Sequence, residues 1–303
     1  MQKITPSLWF DKSAEEAMNF YTSIFSKAKI ISIKRYPEEA PAPVMEGMEG
    51  HVLTGIFEIE GYRFMALDGG PLFTFNPSVS FFVNCKTKEE INGLWEALSK
   101  GGETLMPLDQ YPFSEWYGWV QDKYGVSWQL MLAAEGIEQK IVPSMLFVGD
   151  ECGRAEEAIN FYASVFNDSK VGNVLRYGVG SEPQKEGSII FADFKLDGQL
   201  FAAMDSALDH GFTFSEAISF YVECEDQAEV DHFWEKLSAV PEAEQCGWLK
   251  DQYGLSWQIV PKQLGGFLSD PNREKADRAT QAMLKMKKID IATLQKAFNG
   301  VQL

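Results

Sequence analysis

The chain has 303 residues, 45% hydrophobic and 13% aromatic, with 27 Lys or Arg against 44 Asp or Glu and a formal charge of −17. That is apolar material for two ordinary domains, and no stretch nears the ~20 consecutive apolar residues of a membrane helix. The acidic balance argues against nucleic acid, whose phosphates need clustered Lys and Arg, and favours cationic ligands.

Taken in chain order, Ile4 to Phe10 is a short apolar run that predicts a strand. Ser13 with Glu16 reads as a capping box, opening a helix with Ala14, Ala17, Met18, Tyr21, Ile24 and Phe25 on one stripe. Lys29 to Tyr36 and His51 to Ile59 predict strands, and Glu60-Gly61 a tight hairpin turn into Tyr62 to Leu67. A second unit starts with a strand over Ser78 to Cys85. Thr87 and Glu90 cap its helix, which carries Ile91, Leu94, Trp95 and Leu98 and stops at Gly101. Two final strands flank the turn Asp122-Lys123-Tyr124-Gly125. Each unit is thus βαβββ, an α+β plan with helices on the outer face of a curved mixed sheet.

The plan then repeats. Ala14 to Tyr21 (AEEAMNFY) returns as Ala155 to Tyr162 (AEEAINFY), and Gly118 to Gln129 returns as Gly247 to Gln258 with Gly, Trp, Asp, Tyr, Gly, Ser, Trp and Gln in place. Asp68 matches Asp205, and Asp197-Gly198 repeats the hairpin turn. The expected organisation is a first domain at 1–135, a second at 141–262 and a helical arm at 263–303, with the linker around Ala134 to Lys140. Between the second helix and the Gly-Trp strand, half one has the longer connection; its aromatic stretch Pro107 to Phe113 reads as a loop able to lid a pocket or lie passively on the surface. In the arm, Asp270-Pro271 opens one helix and Asp290 caps a last one. From Ser269 onward seven Lys or Arg accompany four Asp or Glu, a basic element expected to dock on its own acidic body or on a partner subunit.

Trp9-Phe10, the AEEAMNFY helix, Asp-x-x-Gly-x-Ser-Trp-Gln and the tail Met283 to Asp290 together resemble PhnB-like proteins. These are a branch of the vicinal-oxygen-chelate superfamily that includes glyoxalase I and the bleomycin-resistance proteins, often labelled 3-demethylubiquinone-9 3-methyltransferase. The resemblance implies tandem glyoxalase-like domains, four βαβββ modules in all. Metal-using members place ligands on the first, fifth and eighth strands. Aligned on the helix motif, these positions fall on Pro6 and Pro143, on Ser80 and Ser219, and on Gln129 and Gln258. Proline offers no donor atom, and hydroxyl and carboxamide are poor ligands for a divalent ion without carboxylate or imidazole company. No metal and no cofactor is expected. No Gly-x-Gly-x-x-Gly and no P-loop is present, so the methyltransferase label reads as a family name.

Strand alternation then proposes the lining of the concave face. Leu8 and Phe10, with their counterparts Met145 and Phe147, are read as facing inward, together with Trp119, Trp248 and the positions that the resemblance implies, Ser80, Ser219, Gln129 and Gln258. Asp68 and Asp205 are the candidate acid–base residues, with turn-starting as their structural alternative. The functional expectation is a metal-independent protein that binds a small cationic or aromatic molecule in a cup or between paired modules, the chain acting as a pseudo-dimer or homodimer. The alternatives are an enzyme using the same cup for acid–base chemistry or methyl transfer, a metal-dependent vicinal-oxygen-chelate lyase or dioxygenase, and a scaffold whose cups are filled by side chains. Cys85, Cys152, Cys224 and Cys246 show no Cys-x-x-Cys pairing and read as free thiols. With no visible secretory signal, a cytoplasmic location without membrane or nucleic-acid partners is expected.

Overall fold

The computed structural model describes residues 2–38, 46–133 and 136–301; residues 134 and 135 of the expected linker lie outside the described residues. Half one supplies β1 (Ile4–Phe10), α1 (Ala14–Ile24), β2 (Ala28–Arg35), β3 (Val52–Ile59) and β4 (Tyr62–Asp68). Its second unit is β5 (Val79–Cys85), α2 (Lys88–Ser99), β6 (Glu103–Tyr111), β7 (Ser114–Gln121) and β8 (Ser127–Leu132). Half two supplies β9 (Ile141–Phe147), α3 (Ala155–Val165), β10 (Lys170–Arg176), β11 (Ile189–Leu196) and β12 (Gln199–Asp205). It continues with β13 (Ile218–Cys224), α4 (Gln227–Leu237), β14 (Trp248–Lys250) and β15 (Ser256–Pro261). The arm is α5 (Leu264–Leu268), α6 (Arg273–Met283) and α7 (Ile291–Phe298). None of these helices is long and apolar enough to cross a membrane.

The units are shared between two mixed sheets. Sheet A has the order β14-β15-β13-β1-β4-β3-β2, and sheet B the order β10-β11-β12-β9-β5-β8-β7-β6. The first unit of one half therefore joins the second unit of the other. The joints are antiparallel: Ser7 of β1 faces Ser219 of β13, and Ser80 of β5 faces Ser144 of β9.

The cores run the other way and hold each half together. Asp122, first residue of the Asp-x-x-Gly turn, accepts from the Tyr21 hydroxyl of α1 at 2.7 Å and the Trp128 indole at 2.8 Å. It also accepts from the Tyr124 and Val126 amides at 2.8 and 3.1 Å. Asp251 repeats this with Tyr162, Trp257, Tyr253 and Leu255. The two sequence motifs recur together because one buried carboxylate ties helix, turn and strand. Burial pushes both carboxyls up, that of Asp251 to about 6, against the pull of their four donors. At the hairpin turns Glu60, Gly61, Asp197 and Gly198 all have positive φ, the mirror-image geometry that suits a right-twisted hairpin.

Three expectations change. Ser13 makes no capping bond; the α1 amide at Ala14 is satisfied by the buried Asp68 carboxylate instead. Residues 103–111 form the edge strand β6, and its Pro107 is tolerated because an edge strand need not donate on both sides. In the arm, Asn272 rather than Asp270 caps α6.

Candidate functional site

The helix-facing sides of both sheets form one continuous core. Leu8, Phe10, Met145 and Phe147 belong to it, each no more than 2% exposed. They face the helices and not the concave side, which corrects the expected orientation. A strand has a side-chain period of two, so a slip of one residue exchanges its faces. The expected register was carried from the helix motif back to the strand, across a connection that is four residues longer in half two than in half one. The inward residues of the first strands are instead Ser7 and Trp9, and Val142, Ser144 and Leu146.

Asp68 and Asp205 also lie on the helix side. Asp68 accepts from the Ala14 and Val52 amides at 2.8 and 2.9 Å. Asp205 accepts from the amides of Gly153, Ala155 and Ile189 at 2.7, 3.2 and 2.8 Å. Carboxylates whose oxygens take backbone donors at a helix start are caps. Both point away from the concave face, so neither is placed to act as a base on a molecule bound there.

Ser80, Gln129 and Trp119 do reach the concave face of sheet B, as Ser219, Gln258 and Trp248 reach that of sheet A. Gln129 Nε2 donates to Ser80 Oγ at 2.8 Å and its Oε1 accepts from the Tyr117 hydroxyl. Gln258 Nε2 donates to Ser219 Oγ at 2.9 Å. The third member of each set is the serine across the joint, Ser144 in sheet B and Ser7 in sheet A. The hydroxyls of both are buried without a hydrogen-bond partner. Sequence reasoning missed these two serines; the signal was present as Pro-Ser in both first strands, one residue past the positions chosen.

The resemblance puts the ion of metal-using members at or beside these sets, whose chemistry does not suit one. The donors are hydroxyls and a carboxamide; both amide atoms of Gln129 are already engaged, as is the nitrogen of Gln258. Among the described residues no group of three or more His, Cys, Asp or Glu is arranged to hold a metal. Divalent cations of this superfamily want imidazole and carboxylate.

Beside the sheet B set lies a pocket of about 350 Å³ on the same face. Phe82 follows Ser80 by two residues, Met131 follows Gln129 by two, and Ala202 sits opposite Ser144. These three, with Val142, Phe191 and Leu200, form its apolar lining. Phe82 meets Phe191 edge to face at 5.9 Å. Asp193 and Glu138 bring carboxylates to the lining; Asp193 is held by the Asn173 amide and side chain, and Glu138 pairs with Lys195. At the far side, Tyr111 and Phe113 of the β6–β7 hairpin stack, both meet Tyr117 edge to face, and the Tyr117 hydroxyl donates to Gln129.

Sheet A carries the same skeleton with different walls. By strand register, Thr5, Thr54, Arg63 and Glu223 replace Val142, Phe191, Leu200 and Asn84, while Tyr221 and Val260 replace Phe82 and Met131.

The model of the 3-demethylubiquinone-9 3-methyltransferase family matches residues 2–131 and again 139–260. A putative 3-demethylubiquinone-9 3-methyltransferase, PhnB protein, from Bacillus cereus is 50% identical and covers 44% of this chain and 100% of its own, with a TM-score of 0.41. A protein from Staphylococcus aureus is 36% identical over 44% of this chain and 98% of its own, TM-score 0.19. Glyoxalase I from Zea mays is 12% identical but spans 84% of this chain and 89% of its own, TM-score 0.53, a likeness of fold. No curated protein matches.

Proposed function

Because the chain belongs to the 3-demethylubiquinone-9 3-methyltransferase family, the PhnB-like branch of the vicinal-oxygen-chelate superfamily, and carries its domain twice, we propose that it is a metal-independent small-molecule-binding protein whose ligand lies on the concave face of sheet B. One observation carries this reading: the family's ligand-holding positions are filled by neutral donors, and an aromatic pocket opens directly beside them. The volume suits a molecule at the small end of the drug-sized range.

The chemistry of the lining points to an organic cation with an aromatic or branched apolar body. Phe82 and Phe191 offer ring faces and edges to such a body, and a cation near an aromatic face gains about 0.5–2 kcal/mol. Asp193 supplies the counter-charge; it enters no ion pair among the described residues.

The test is a thermal-shift and calorimetric series on chelator-treated protein, with benzyltrimethylammonium and larger aromatic cations against neutral and anionic analogues. Ligand at one hundred times its Kd stabilises the fold by about 2.7 kcal/mol, well within reach of the measurement. Stabilisation by the cations without added metal is expected. Indifference to the whole series, or binding that appears only with zinc, nickel or manganese, would end the reading.

A further inference from the structure

We infer that the C-terminal arm is a resident occupant of the concave face of sheet A, seated where sheet B offers its pocket. Tyr221 and Val260, the counterparts of the pocket residues Phe82 and Met131, pack instead against the arm cluster of Leu264, Ala282, Ile289 and Leu294. Ile289 and Leu294 are fully buried there.

The arm also takes over a sheet edge. In half one β6 covers β7, with Asp109 opposite Tyr117. Among the described residues half two has no strand counterpart of β6, and an uncovered edge leaves backbone donors free. The amides of Cys246 and Gly247, which match Tyr117 and Gly118, donate to the carbonyls of Met286 and Lys287, both at 2.8 Å. Gly247 has φ +88°, and a Cβ there would stand 2.9 Å from the Ile259 carbonyl and 3.3 Å from Ile289, so the arm closes on a position that only glycine fills. A polar latch completes the seat: Lys288 meets Asp231 at 2.6 Å, Lys287 meets Glu244 at 3.1 Å, and Gln227 bonds the backbone at Ile289 and Ile291.

On sheet A's counterpart of the pocket, Thr5, Thr54, Arg63 and Glu223 are polar, Ile56 and Met65 stand where sheet B has Asp193 and Ala202, and the arm covers the apolar pair Tyr221 and Val260. With the arm seated, the chain offers one site rather than two. That stoichiometric consequence rests on the proposed binding function; the seating itself does not.

The test uses the full chain carrying Ile289→Asp, and separately Lys287→Glu with Lys288→Glu, read by hydrogen exchange and by Nile red, a neutral apolar dye. In Ile289→Asp the amides of Cys246 and Gly247 are expected to exchange at least tenfold faster and the dye signal to rise at least twofold, with the β7 amides of Tyr117 and Gly118 unchanged. The charge-reversal pair is expected to act in the same direction and more weakly. Should Ile289→Asp fail to fold, the charge-reversal pair decides. Selective loss of protection at residues 246 and 247 supports the seating, whereas unchanged protection or a uniform loss throughout both sheets overturns it. Neither readout needs a ligand for sheet B, so a failed ligand search and a failed arm remain distinguishable.

Discussion

Sheets A and B are built from equivalent units, with the same Ser-Gln-Ser floor and the same Tyr-Asp-Trp ties beneath it, yet their concave faces diverge. Sheet B keeps an apolar aromatic wall with carboxylates at its lining. Sheet A has polar residues at four of the matching positions, Ile56 and Met65 at two others, and a helical arm over Tyr221 and Val260. The duplicated features are those the fold requires, and the unduplicated ones are where the chain has room to specialise. Function is therefore to be sought in what distinguishes the sheets.

The largest effect should fall on what they share. Asp122→Ala and Asp251→Ala each orphan four buried donors, and each is expected to cost about 3–5 kcal/mol of stability. Urea unfolding monitored by tryptophan fluorescence checks this. A cost in one half and none in the other would break the equivalence of the two ties. Next comes the divergence itself: Phe82→Ala is expected to weaken binding of the best aromatic cation at least tenfold, about 1.4 kcal/mol, while Tyr221→Ala leaves it unchanged. Calorimetry on the two variants decides, and equal losses would place ligand on both sheets.

The third effect is pH-dependent. An ordinary aspartate titrates near 3.9, and that of Asp251 is raised to about 6 because burial penalises its charge. Between these values the folded chain binds the proton more tightly than the unfolded one. This group's contribution to stability therefore grows as pH falls from above 6 toward 4, and is lost as pH rises through about 6. The stability gap between the unmodified chain and Asp251→Asn should be wider at pH 5 than at pH 7.5; a gap that narrows toward pH 5 would refute the raised value. The smallest effect belongs to the orphaned hydroxyls. Ser7→Ala and Ser144→Ala remove a buried unpaired group, so each should leave stability unchanged or raise it by up to about 1 kcal/mol in urea unfolding.

Much of this was legible in the residues. The doubled helix motif and the doubled Asp-x-x-Gly turn disclosed the repeat, and apolar periodicity placed most strands and helices. Neutral residues at the ligand positions were visible once the family was recognised. The face of the first strand was not, since a connection of variable length separates it from the motif used to count. Nor was the exchange of units between sheets: β1 meets β13 more than 200 residues away, and no local pattern encodes a joint that distant. Pro107 to Phe113 read as an aromatic loop, although most of it belongs to the edge strand β6, which accommodates Pro107. The basic charge of the arm hinted at docking on the acidic body, but its seat depended on the missing β6, which is a property of the assembled sheet.

Methyl-labelled nuclear magnetic resonance of the full chain, titrated with an aromatic cation in the presence of a chelator, tests the central claim most directly. The account predicts saturable shifts at the methyls of Met131, Val142, Leu200 and Ala202, with those of Thr5, Met65 and Val260 unmoved. Shifts confined to the sheet A methyls, or shifts that vanish when the chelator is added, would contradict it.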